Sequence, residues 1–161
     1  MDQEEKPPPG RWQLRIGGSL TSACFRGPGR FPPPVPIFLE CDRCTACCRW
    51  PGQVKITDAE IAGMAEHLGL AEADFIAAYT RLNAARSGLA LTDQADGACV
   101  FLAGNDCRVN PVKPQQCRDF PNLWNFPGAE QSCRAKPLEV TADAWRRRVK
   151  QATGRDVNPP A

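Results

Sequence analysis

Histidine is almost missing from this chain, with a single residue, His67, in 161. That nearly excludes zinc sites built from mixed cysteine and histidine ligands and leaves sulfur as the main donor for any metal. No run of eighteen apolar residues occurs, so no membrane span is expected. The formal net charge of +2 is too small to name a polyanionic partner. The acidic, proline-rich start Met1-Asp2-Gln3-Glu4-Glu5-Lys6-Pro7 lacks the basic residues and apolar stretch of a secretory signal. These absences point to the cytoplasm, where thiols stay reduced. There is also no phosphate-binding glycine loop, no Ser/His/Asp set and no internal repeat, so no catalytic residue is assigned.

Cysteine is what the chain has in quantity: nine residues, a share below that of disulfide-built mini-proteins. Four fall within eight positions, Cys41-Asp42-Arg43-Cys44-Thr45-Ala46-Cys47-Cys48. Thiolates this dense repel one another unless a metal ion or iron–sulfur core lies between them. The spacing suits a loop folding around a metal, and a helix would also gather the four sulfurs within roughly 120° of one face. An extended strand fits poorly, because Cys47 and Cys48 would point in opposite directions. Four more cysteines follow at Cys99, Cys107, Cys117 and Cys133. The eight allow two four-cysteine sites, or one cluster with auxiliary thiols, and the metal is either zinc or an iron–sulfur cluster. Arg43, Arg49, Arg108 and Arg118 neighbour the cysteines and are candidates to offset the charge of an anionic centre.

Residues 1–36 hold eight of the sixteen prolines and read as a disordered Pro/Gly-rich arm, with Cys24 inside it and outside the site. Residues 37–137 read as the cysteine-cluster domain, and 138–161 as a C-terminal helix and tail. Within the domain, Gln53–Ile56 alternates like a short strand. Thr57-Asp58-Ala59-Glu60 is a capping box opening a helix that Gly69 ends. A second helix is expected over Glu72–Leu82, its inner face carrying Phe75, Ile76, Tyr79 and Leu82, with Ser87-Gly88 closing the unit. Ala98–Leu102 and Cys107–Val109 are expected to pair as a hairpin across Gly104-Asn105-Asp106. Pro114 starts a single helical turn that Pro121 stops. Thr141 caps a last helix ending near Gly154. The expected class is α+β: a small, loop-rich, metal-stabilised domain with two or three short helices and a β-hairpin.

Three other features are read as ordinary. His67 is taken as a surface residue. Trp145-Arg146-Arg147-Arg148-Val149-Lys150 is taken as a solvated helix face anchored by Trp145, because the nearly balanced charge argues against a nucleic-acid partner. Asp119 is either a base or a group supporting Cys117. A protein partner is left open.

The motif set resembles the YkgJ-like cysteine-cluster family, described as zinc- or iron-chelating. The matching pieces are C-x-x-C-x-x-C-C at Cys41–Cys48, G-x-C-x-F-L at Gly97–Leu102, Cys107 with Val109, P-x-Q-C-R-x-F-P at Pro114–Pro121, and Cys133. The resemblance implies eight metal-chelating cysteines: Cys41, Cys44, Cys47, Cys48, Cys99, Cys107, Cys117 and Cys133. Such proteins usually show Arg-Pro where this chain has Lys113-Pro114, which keeps a cation. Some relatives are labelled iron–sulfur oxidoreductases, and flagellin lysine methylase carries a similar cluster, so redox or methyl-transfer chemistry stands beside a structural zinc module.

Overall fold

The computed structural model describes residues 35–160; the proline-rich arm and Cys24 lie outside them. The described residues form an α+β domain of small antiparallel sheets and short helices, as the sequence implies. In chain order the elements are β1 (Ile37–Glu40), α1 (Ala46–Arg49), β2 (Lys55–Ile56), α2 (Asp58–Leu68), α3 (Glu72–Tyr79), β3 (Thr80–Leu82), β4 (Leu89–Leu91), β5 (Leu102–Ala103), β6 (Asp106–Cys107), α4 (Gln115–Asp119), α5 (Ala129–Ser132), β7 (Lys136–Glu139) and α6 (Ala142–Thr153). A 3₁₀ turn at Asn110–Val112 precedes α4. The six helices exceed the two or three expected because α1, α4 and α5 are single turns of four or five residues, too short to leave a periodic signal.

Local chemistry explains most boundaries. The Thr57 hydroxyl accepts from the Glu60 amide and the Glu60 carboxylate accepts from the Thr57 amide, so the capping box forms as expected. The second Glu60 oxygen accepts the Gln115 amide at 2.6 Å, so one carboxylate caps both α2 and α4. Gly69 ends α2 at φ 68°, where its amide and that of Leu70 close back on Ala65 and Glu66. Thr141 caps α6 through its hydroxyl, and Gly154 ends it.

Two expectations are corrected. α3 stops at Tyr79, and Thr80–Leu82 leaves as a strand pairing with Leu89–Leu91. Asn83 organises the connecting turn: its amide bonds the Gly88 carbonyl and its side chain accepts the Ser87 amide. Ile76 and Leu82 are consequently exposed, while Phe75 is fully buried. The cysteine hairpin also forms further along than expected, with Leu102 opposite Cys107 and Ala103 opposite Asp106. Cys99 lies before it, in a lone bridge to Asp93.

β7 has no clear sequence signal because Pro137 lies within it. It pairs with β1 so that Leu39 faces Pro137. Leu39 directs its own amide and carbonyl to the Asn122 side chain, at 2.8 and 2.9 Å. Pro137 therefore sits where no ladder hydrogen bond is asked of it.

The apolar residues gather in three small clusters. Ile56, Ile61, Met64, Phe75, Leu91, Phe101 and Val109 form the largest, between α2, α3 and the three-stranded sheet β2-β4-β3. Phe38, Trp145 and Val149 join the β1–β7 ribbon to α6. Phe120, Phe126 and Ala129 form the third, with Trp50 and Trp124 against them. All eight described cysteines lie where the three meet.

Candidate metal centre

Each cysteine is brought in by a different piece of local geometry. The first motif is neither all loop nor all helix. Cys41–Thr45 winds as a loop with Arg43 and Thr45 at φ 59° and 66°, and Ala46–Arg49 then forms α1. That turn sets the adjacent Cys47 and Cys48 sulfurs 3.9 Å apart. Zn–S bonds of about 2.3 Å place two sulfurs of one tetrahedral ion about 3.8 Å apart, so this pair already has the spacing of a shared ion. The Cys99 amide donates to the Cys48 carbonyl at 2.7 Å. Leu102 then bonds back to Cys99 and pairs with Cys107, which ties both later thiols to α1.

Cys117 rides on α4, and its neighbour Gln116 fixes that turn. The Gln116 side chain accepts the Lys55 amide at 3.0 Å and donates to the Gln53 carbonyl at 2.9 Å. Its carbonyl accepts the Trp124 indole at 2.7 Å. Cys133 follows α5, whose start needs Gly128 at φ 83°. Trp50 and Phe126 stack at 4.8 Å and Phe120 and Phe126 at 5.4 Å. Cys47 and Cys133 pack against this aromatic wall.

All eight thiols line one cavity of about 190 Å³, whose other walls include Phe38, Phe101 and Phe120, one from each apolar cluster. A water needs only about 10–15 Å³ of such space, so the cavity exceeds what one bare ion fills. None of the eight is in a disulfide. Among the described residues, no three Cys, His, Asp or Glu side chains already converge as ligands. A metal bound by them would have to draw these thiols closer together.

Their protonation is set by burial and by one another. Burial raises the thiols of Cys99, Cys107 and Cys133 above their ordinary range, and pushes Cys117 up to about 12, helped by the neighbouring Cys99, Cys47 and Cys107 sulfurs. Cys47 and Cys48 share a proton: the hydrogen bond from Cys48 and the charge of Lys113 bring Cys47 down to about 7 against the cost of burial, while the same hydrogen bond and burial raise Cys48. A metal entering this set must displace protons. The donors are soft, largely dehydrated sulfur, which suits zinc or iron.

The charges nearby differ from the sequence expectation. Arg43 is engaged by Asp106, Arg49 reaches Asp96 at 3.6 Å, and Arg118 donates to the Gln115 side chain at 2.8 Å. Arg43, Lys113 and Arg118 all line the cavity, and Lys113 is the cation whose charge acts on Cys47, Cys107 and Cys117. The Lys-Pro step before Gln-Cys-Arg is the sequence signal for it. Asp119 is buried, accepts Arg155 Nε at 2.9 Å with both oxygens and Gln115 Nε2 at 2.6 Å, and ties α4 to the end of α6. His67 is exposed, with Nε2 3.2 Å from the Arg108 carbonyl. Trp145 is buried as expected, its indole on the Ile37 carbonyl at 3.1 Å.

No described helix is long and apolar enough to cross a membrane. No curated protein and no solved structure matches the chain significantly. The family model titled "CxxCxxCC: Putative zinc- or iron-chelating domain" matches residues 40–144, a span that holds every cysteine lining the cavity, and the chain belongs to that family.

Proposed function

We propose that the protein is a metal chelator of a reducing compartment, holding its metal through Cys41, Cys44, Cys47, Cys48, Cys99, Cys107, Cys117 and Cys133. The observation that carries this reading is that all eight free thiols, drawn from five separate parts of the chain, line the same cavity. The energetics agree. A structural zinc site contributes on the order of 10–16 kcal/mol, against about 5–15 kcal/mol for the net stability of a whole domain. Three small apolar clusters that meet at a seam of thiols depend on whatever fills that seam.

Two chemistries fit. The 3.9 Å spacing of Cys47 and Cys48 favours zinc, with the centre holding the fold of a binding or adaptor module. The cavity volume favours a polynuclear iron–sulfur core, with redox or methyl-transfer chemistry carried out alongside a protein partner. Purification without oxygen, elemental analysis and an absorption spectrum separate them. Colourless protein with tightly held zinc supports the first reading. Brown protein with labile sulfide, bleached on reduction, supports the second. Protein that folds cooperatively and keeps no metal refutes both.

A further inference from the structure

Charged groups are few in the lining of the thiol cavity, and the fold treats each of them differently. Arg43 and Asp106 line it together and engage each other, so their charges cancel locally. Arg118 donates to the Gln115 side chain and also lines an open surface groove with Thr153 and Arg155, where solvent shares its charge. Lys113 is the remaining cation of the lining, half-buried and, among the described residues, in no ion pair. Its backbone is held from both sides. The 3₁₀ turn Asn110–Val112 ends at Lys113, and Val112 packs on the largest apolar cluster. Lys113 itself, at φ −56° and ψ 148°, leads into Pro114, the extended conformation that a following proline favours. Pro114 is fully buried, and α4 with Cys117 starts on the next residue. The chain therefore fixes where this side chain leaves the cavity wall.

We propose that Lys113 is the counter-charge of the metal centre: a positioning residue, not a ligand, whose ammonium offsets the negative charge of the thiolates and so sets how tightly metal is held. This rests on the chelation reading above and goes beyond it, assigning part of the strength of the site to a residue outside the cysteines. The chemistry asks for such a group. Each thiolate brings one negative charge, so a divalent ion held by four of them leaves the centre anionic. Net charge held away from water is costly unless an opposite charge accompanies it. An ammonium supplies that charge without competing for the ion, because it has three N–H donors and no free lone pair. Arg43 is engaged by Asp106 and cannot do so undivided. The reach of Lys113 is visible in the metal-free protein: burial raises the Cys107 and Cys117 thiols, and the charge of Lys113 opposes that rise on both β6 and α4.

The test uses the full chain, prepared without oxygen. Zn²⁺ affinity is measured by competition with a chromophoric chelator in wild type, Lys113→Gln, Lys113→Met and Lys113→Arg. Removing a group that supports metal ligands typically costs about 10–100-fold in metal affinity, and both neutral variants are expected to lose that much. Lys113→Arg keeps the charge and is expected to stay close to wild type. Co²⁺ loading reads the ligands themselves, because sulfur-to-cobalt absorption reports bound thiolates, and its spectrum is expected to be the same in all four proteins. Neutral variants that bind Zn²⁺ as tightly as wild type overturn the proposal. Lys113→Arg weakened as far as Lys113→Met also overturns it, since the role is then one of packing. So does weaker sulfur-to-cobalt absorption in the neutral variants, since Lys113 then holds a thiol in place. In each of these cases wild type still binds metal and chelation stands. Failure of wild type to bind Zn²⁺ at all overturns the chelation reading with it.

Discussion

The amide of Cys99 donates to the carbonyl of Cys48 across 2.7 Å. This bond joins the dense first motif to the second half of the chain, next to the two sulfurs already spaced as ligands of one ion. Together with the hairpin it ties Cys47, Cys48, Cys99 and Cys107 into one unit. Cys48→Ser and Cys117→Ser are each expected to lose bound metal and, with it, cooperative thermal melting. Metal content and the melting curve of each variant check this. Retention of wild-type metal and melting by Cys117→Ser removes that residue from the centre.

Raised thiols give the metal-free protein an unusual alkaline weakness. An unfolded cysteine loses its proton near 9.0, whereas Cys117 in the fold holds its proton up to about 12, and Cys99 and Cys107 are shifted the same way. Between those values the folded state binds more protons than the unfolded state. The stability these thiols contribute is fully present below pH about 9 and falls as the pH climbs toward 12. Metal-free protein therefore melts at lower temperature as the pH rises above 9, and metal-loaded protein, whose thiols are already deprotonated, lacks this slope. Metal binding at pH 7 releases protons, which titration calorimetry in two buffers of different ionisation enthalpy measures.

Gly52 leaves no room for a side chain. A β-carbon there would overlap the ring carbons of Trp50, and Trp50 is stacked on Phe126 beside Cys47 and Cys133. Gly52→Ala pushes the indole out of the aromatic wall at a cost of about 1–3 kcal/mol. The expected signs are a lower melting temperature, altered tryptophan fluorescence and faster metal release. Unchanged fluorescence contradicts the close approach.

Gln116 acts through position. Gln116→Ala removes the bonds to the exposed Lys55 amide and to the Gln53 carbonyl and frees α4, costing about 0.5–1.5 kcal/mol. Cys117 in the metal-free variant reacts faster with a thiol reagent, and the metal-loaded variant releases metal faster. Gln116→Glu keeps the acceptor for Lys55 but not the donor to Gln53, and is expected to fall between.

The cysteine motif, the capping box at Thr57, the Gly69 stop and the α6 caps are legible in the sequence because each depends on residues within a few positions. What escapes is set by distant partners. The continuation of helical periodicity to Leu82 is overridden by the pairing of Thr80–Leu82 with Leu89–Leu91. β7 is hidden by Pro137, which only the Asn122 bonds to Leu39 make harmless. The arginines beside the cysteines look like counter-charges until Asp106 and Asp96 are seen to engage two of them, while Lys113 in the cavity lining acts on the thiols.

The central claim is that the thiols converge on one sulfur-bound inorganic centre. X-ray absorption at the zinc or iron edge tests it most directly. The account predicts a first shell made wholly of sulfur, with metal–sulfur distances of about 2.3 Å. A shell dominated by nitrogen or oxygen, or no bound metal at all, contradicts it.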